Sequence, residues 1–123
     1  MTLVRLVHGG DAAAREQAIA SEIPAGLKVA VLLEGLSATD VLPATDAITV
    51  IRIAPGCPCC TGNLTMRVTL NRLLREPPAI LFLSLANSSH LGSVKSFLQE
   101  EQYCGRLEPG LDLECGRISE IRA

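Results

Sequence analysis

Tryptophan is absent from this chain of 123 residues, and Phe82, Phe97 and Tyr103 are its only aromatics. Any core must therefore be aliphatic, drawn from Leu, Ile, Val and Ala, which suits a parallel sheet covered by helices. Lysine is almost as scarce, with Lys28 and Lys95 alone. The formal net charge is -2 and no basic patch forms along the chain. With so few rings to stack on bases, this argues against nucleic acid as a partner. No apolar run is long enough to span a bilayer. Met1-Thr2-Leu3 leads directly into a strand-like run, with Asp11 and Glu16 soon after, so no signal peptide is expected and the chain reads as cytoplasmic. Thiols stay reduced there. Five cysteines then point to a metal or a reactive-thiol site rather than a disulfide framework.

The patterning that is present predicts one α/β domain over residues 1–123. Leu3–Val7 reads as a strand, His8-Gly9-Gly10 as a turn, and Asp11 as the N-cap of a helix over Ala12–Glu22. Lys28–Leu33 is a near-continuous apolar run and Ile48–Ile53 another, both read as buried parallel strands. Asn63 is the expected cap of an amphipathic helix reaching Arg75. Its apolar face comprises Leu64, Val68, Leu70, Leu73 and Leu74, and Arg67, Arg72 and Arg75 lie on a solvated side. Pro77-Pro78 stops it. Ala79–Leu85 is a fourth strand, buried on both faces, and Ser88 or Ser89 caps a last helix to about Glu101. In the tail, residues 103–123, Pro109-Gly110 signals a turn. Leu111–Glu114 and Arg117–Ile121 read as short strands, joined as a hairpin about Cys115-Gly116. The alternation implies a three-layer, mostly parallel sheet of at least four strands with helices on both faces.

Three of the cysteines fall within Gly56-Cys57-Pro58-Cys59-Cys60, between the third strand and the next helix. A thiol cluster at the end of a strand is where an α/β protein places a ligand. The motif resembles the Gly-Cys-x-Cys-Cys motif of the CobW-like P-loop GTPases, which handle zinc, cobalt or nickel and couple it to GTP. The surrounding order is similar over about residues 4–98: strand, turn, helix, a Lys-x-Ala-Val strand at Lys28–Val31, then the cysteines. The resemblance implies a P-loop NTPase-like topology. It also implies an acidic metal ligand in the loop after the second strand, where Glu34 and Asp40 stand.

The nucleotide signature departs from that family. A P-loop needs G-x-x-x-x-G-K-[ST], so that backbone N–H groups wrap the phosphates while the Lys and the hydroxyl serve the terminal phosphates and magnesium. The matching stretch here runs from Gly9 and Gly10 through Asp11 to Ala14, Arg15 and Glu16. Ala14 stands for the second glycine, Arg15 for the lysine and Glu16 for the hydroxyl. A carboxylate at Glu16 beside a polyanion costs roughly 4 kcal/mol at about 4 Å and an effective dielectric near 20. The fourth strand ends Leu83-Ser84-Leu85-Ala86, without the family's acid. The guanine-reading Asn-Lys-x-Asp motif and the family's C-terminal domain are not found, so GTP binding and hydrolysis are not expected.

In an extended C-x-C the two side chains share a side, so Cys57 and Cys59 suit one ion, with Cys60 joining if the loop turns. Soft thiolates favour zinc or Cu(I), and zinc takes four ligands. Glu34, Asp40, Cys104 and Cys115 are the candidate completions. The competing reading keeps these cysteines as small buried residues with no metal. His8 reads as a partly exposed turn residue, with a ligand role as the alternative, and His90 as a residue near the start of the last helix with no ligand role. Arg15 either holds a small anion at the helix N-terminus or, more simply, pairs with Asp11 or Glu22 on a solvated face. Ser84, Ser88 and Ser89 have no acid or His placed to activate them. Three functions stay open. The first is a non-catalytic metal-binding relative of the CobW-like proteins. The second is an interaction module, pairing with itself as a homodimer or with a full-length CobW-like relative. The third is a residual nucleotide-binding or thiol-redox protein.

Overall fold

The computed structural model describes residues 2–35, 42, 45–53, 61–86, 91–100, 103 and 105–115, of which 61–65 through their backbone alone. The elements run β1 Thr2–His8, α1 Ala12–Glu22, β2 Val29–Glu34, β3 Ile48–Ile53, α2 Thr61–Leu73, β4 Ile80–Ser84, α3 Leu91–Leu98, β5 Leu107–Pro109 and β6 Leu113–Glu114. The six strands form one sheet in the order β3-β2-β4-β1-β5, with β6 also on β1, and every pairing between strands is parallel. This is the three-layer α/β architecture expected from the pattern of elements, and it is consistent with the P-loop NTPase-like topology that the resemblance implies.

Side-chain alternation along the strands assigns the two faces. Val7, Val29, Val31, Leu33 and Phe82 gather with Ile19 of α1 in one cluster. Val4, Leu6, Ala30, Leu32, Leu81 and Leu83 gather with Met66, Leu70 and Leu74 below α2, and with Val94 and Phe97 of α3. β2 is buried at every position and β4 at all but the first, as befits the centre of a sheet covered on both sides. β3, at the edge, is only half-buried.

Two expectations for α2 are corrected. α2 begins at Thr61, so Asn63 lies inside the helix rather than capping it. Its buried stripe is Met66, Leu70 and Leu74, spaced by four, while Val68 is 51% exposed; that spacing keeps one face on the sheet and turns Val68 away. The short strands β5 and β6 both pair parallel with β1; β6 falls within the strand expected over Leu111–Glu114, and the second strand of the expected hairpin about Cys115-Gly116 is not among the described residues. Pro109 closes β5 and Gly110 N–H donates to the Val4 carbonyl at 2.8 Å. A proline is tolerated there because it sits at the end of an edge strand. Arg117–Ile121 lies outside the described residues, as do Ser88 and Ser89.

Arg67, expected on a solvated face, is a tie between helices. It donates to both Glu100 oxygens at 2.7 and 3.3 Å and lies 4.5 Å over the Phe97 ring, and the Glu100 carboxylate raises its pKa. Tyr103 completes the group, edge-on to Phe97 at 5.4 Å and donating to Asn71 Oδ1 at 3.2 Å.

Candidate functional site

The chain order reverses around β1 and β4, which lie side by side with Val7 opposite Ser84. In an open parallel sheet the crevice outside the carboxyl ends of such strands is the usual ligand site. Buried polar side chains collect at these ends: His8 on β1, Arg15 and Glu16 on α1, Glu34 on β2 and Ser84 on β4.

The turn out of β1 sets the geometry. Gly9 and Gly10 adopt φ of 82° and 58°, a left-handed path that other residues take at a cost of roughly 1 kcal/mol or more. Asp11 then caps α1 as predicted, its carboxylate accepting from Ala14 N–H at 2.8 Å. Arg15 comes one turn later, at 6% exposure. Its Nη1 donates to the carbonyl oxygens of Gly9 at 3.2 Å and Gly10 at 2.9 Å, and its Nε donates to Ser84 Oγ at 3.2 Å.

This overturns the expectation of a solvated Arg15 paired with Asp11 or Glu22. Asp11 is occupied as the cap, and Glu22 takes Arg5 at 2.7 Å instead. Positions 15 and 19 share one helical face, and Ile19 is fully buried on the sheet, so Arg15 is carried inward with it. Among the described residues no carboxylate pairs with this guanidinium. Backbone oxygens and a hydroxyl solvate it instead, which offsets part of the cost of burying the charge.

The arrangement is the inverse of a phosphate cradle. A loop that holds phosphate points N–H groups at the ligand. Here two carbonyl oxygens turn to a cation of the chain's own, and one of the free N–H groups of the first turn, that of Ala14, is taken by Asp11. The described residues of the loop do not fit a nucleoside triphosphate.

Glu16 is 2% exposed and faces Arg52 Nη1 of β3 at 3.4 Å. Glu34 is also buried, and its Oε1 accepts from Ala86 N–H at 3.0 Å, one of its interactions. A carboxylate of β2 thus reaches the chain just past the end of β4. The sequence carried no signal for this, since Glu34 and Ala86 meet only because β2 and β4 are neighbours. Ser84 accepts from Arg15, and among the described residues no base is placed on its hydroxyl. His8, expected to be partly exposed, is 7% exposed as the last residue of β1.

Cys115 follows β6. Its N–H donates to the His8 carbonyl at 2.8 Å, and the side chain packs partly buried against the α1-side cluster. Burial pushes its thiol pKa up, and the positive charge of Arg15 pulls it back in part. Cys57, Cys59, Cys60, Asp40, Cys104 and His90 lie outside the described residues. β3 ends at Ile53, opposite Glu34, so the cysteine motif starts a few residues beyond the strand beside that acid. Among the described residues no three His, Cys, Asp or Glu side chains group as a metal site. None of their helices is long and apolar enough to cross a membrane.

The chain matches no family model, no curated protein and no solved structure.

Proposed function

We propose that the chain is a non-catalytic, P-loop-like domain that carries a soft transition-metal ion, zinc first, on Cys57, Cys59 and Cys60. One observation carries the non-catalytic half: Arg15 fills the loop where a triphosphate would sit, held by Gly9 O, Gly10 O and Ser84 Oγ. Opening that space for a nucleotide means stripping three acceptors from a buried cation. The metal half is supported by chemistry rather than by described contacts. Three cysteines in four positions supply soft thiolates of the kind zinc selects. They follow directly on the strand paired with the acid-bearing end of β2. Glu34 is already engaged by Ala86, so the thiols are the core of the site and Glu34 is a secondary ligand at most.

Two measurements test the two halves separately. With GTP or GDP and magnesium at millimolar concentration, the melting temperature stays unchanged; a saturable rise reveals nucleotide binding and removes the non-catalytic reading. Purified under reducing conditions, the protein retains about one zinc per chain, and Cys57→Ser with Cys59→Ser abolishes it. Free alkylation of all three motif thiols, with no metal held tighter than micromolar, overturns the metal reading.

A further inference from the structure

At the opposite, amino-terminal end of the sheet a second feature stands apart from this site. A cleft of about 460 Å³ opens between the end of α2 and the starts of β2 and β3. Ile51 of the edge strand and Leu73 of α2 are only partly buried against the core there. Ala30, Ile51 and Leu73 are among the apolar residues left along the cleft, and Ala30 is small enough to leave a hollow. Lys28, Arg72 and Arg75 stand around it against a single acid, Glu76. That acid is 3.7 Å from Lys28. Arg72 and Arg75 are exposed, and neither has an ion pair among the described residues.

The ordinary role of cations in the last turn of a helix is to face its negative end, and Arg72 suits that. It does not account for Lys28, just before β2 and 3.7 Å from Glu76, joining them around the cleft, nor for the apolar residues that line it beside these cations. We propose that this cleft binds a small organic anion: a carboxylate or sulfonate on a compact hydrocarbon body. The body lies on Ala30, Ile51 and Leu73. The acid group takes Arg72 and Arg75, whose planar forks match a carboxylate in bidentate fashion. Such sites are concave and mostly apolar, with a few polar groups that fix orientation, and the excess of two positive charges selects the sign of the ligand.

Titrating isotope-labelled protein with octanoate, followed by amide chemical shifts, tests this. Saturable shifts are expected at Thr49, Ile51, Leu73 and Arg75, with a dissociation constant of about 1 mM or tighter. Octanol and inorganic phosphate, each carrying half of the chemistry, bind about tenfold weaker or worse. The double variant Arg72→Ala, Arg75→Ala removes two exposed side chains, so its spectrum remains that of the folded protein while octanoate affinity falls by about tenfold. Octanol binding as tightly as octanoate overturns the proposal. So does unchanged affinity in the double variant, or shifts confined to the separate cavity between α3 and β5 around Leu98 and Leu107.

Discussion

Arg15 Nε donates to Ser84 Oγ across 3.2 Å, joining the first turn of α1 to the last residue of β4. The two residues are 69 positions apart, and both are buried. The bond closes the mouth between β1 and β4 from within.

Arg15→Met keeps much of the volume and removes every donor. Gly9 O, Gly10 O and Ser84 Oγ then lose their partner, and the folded state is expected to lose about 2–4 kcal/mol. Arg15→Lys keeps the charge but not the fork, and the expected loss is about half of that. Urea unfolding midpoints at neutral pH measure both. A midpoint unchanged in Arg15→Met means that the guanidinium is not holding the loop.

Glu16 and Arg52 form the second internal pair, between α1 and β3, with Glu16 2% exposed. Glu16→Gln keeps the shape and removes the charge. It is expected to cost about 1–3 kcal/mol, since a charge-assisted bond becomes a neutral one in a buried place. Arg52 is partly exposed, so Arg52→Ala leaves a buried carboxylate with less support and is expected to cost at least as much. The same unfolding measurement decides the order.

Tyr103 is the only tyrosine and there is no tryptophan, so tyrosinate absorbance reports one group. Burial raises its phenol above the ordinary value near 10, and Arg67 offsets this in part. Its folded pKa exceeds its unfolded one. The stability tied to it is therefore complete below about pH 10 and is lost as pH rises through the folded pKa. Titration in the folded protein is expected above pH 10, moving back to about 10 in urea. Tyr103→Phe keeps the edge-on contact with Phe97, loses the bond to Asn71 at about 1 kcal/mol, and removes this share of the alkaline loss.

Cys115 has the same sign. Burial holds its thiol above the free value, with Arg15 opposing. Stability from this group is fully present below the unfolded thiol value near 8.5 and is lost as pH rises through the folded pKa. Cys115→Ala is therefore expected to flatten the fall in unfolding midpoint between neutral and alkaline pH. In Arg15→Met the lowering influence is gone, so alkylation of Cys115 shifts to still higher pH. A thiol that reacts at neutral pH as fast as a free cysteine contradicts the burial argument.

Much of the architecture was readable from pattern. Ile48–Ile53 and Ala12–Glu22 have the bounds expected, because a run of β-branched residues and an Asp-capped Ala-rich segment each declare their structure locally. α2 was read less well. Its apolar residues are numerous enough to draw more than one stripe, and only the sheet decides that Met66 goes inward and Val68 outward. The tail was read in part: Leu113–Glu114 lies within the strand expected over Leu111–Glu114, whereas Leu107–Pro109 is too short for periodicity to speak, and Pro109-Gly110 resembles a turn until β1 is there to pair with it.

The sequence by itself determined the fold class, the α1 cap and the absence of a G-x-x-x-x-G-K-[ST] pattern between Gly9 and Glu16, since these rest on neighbours in the chain. Only the tertiary structure decided where the charges go. Arg15 turns to Gly9, Gly10 and Ser84, Glu16 to Arg52, and Glu34 to Ala86, because the strand order sets β4 between β1 and β2. The physical reason is the difference in range. Hydrophobic period and capping act over a few residues, whereas a buried polar group must find its partner among whatever the crossovers bring beside it.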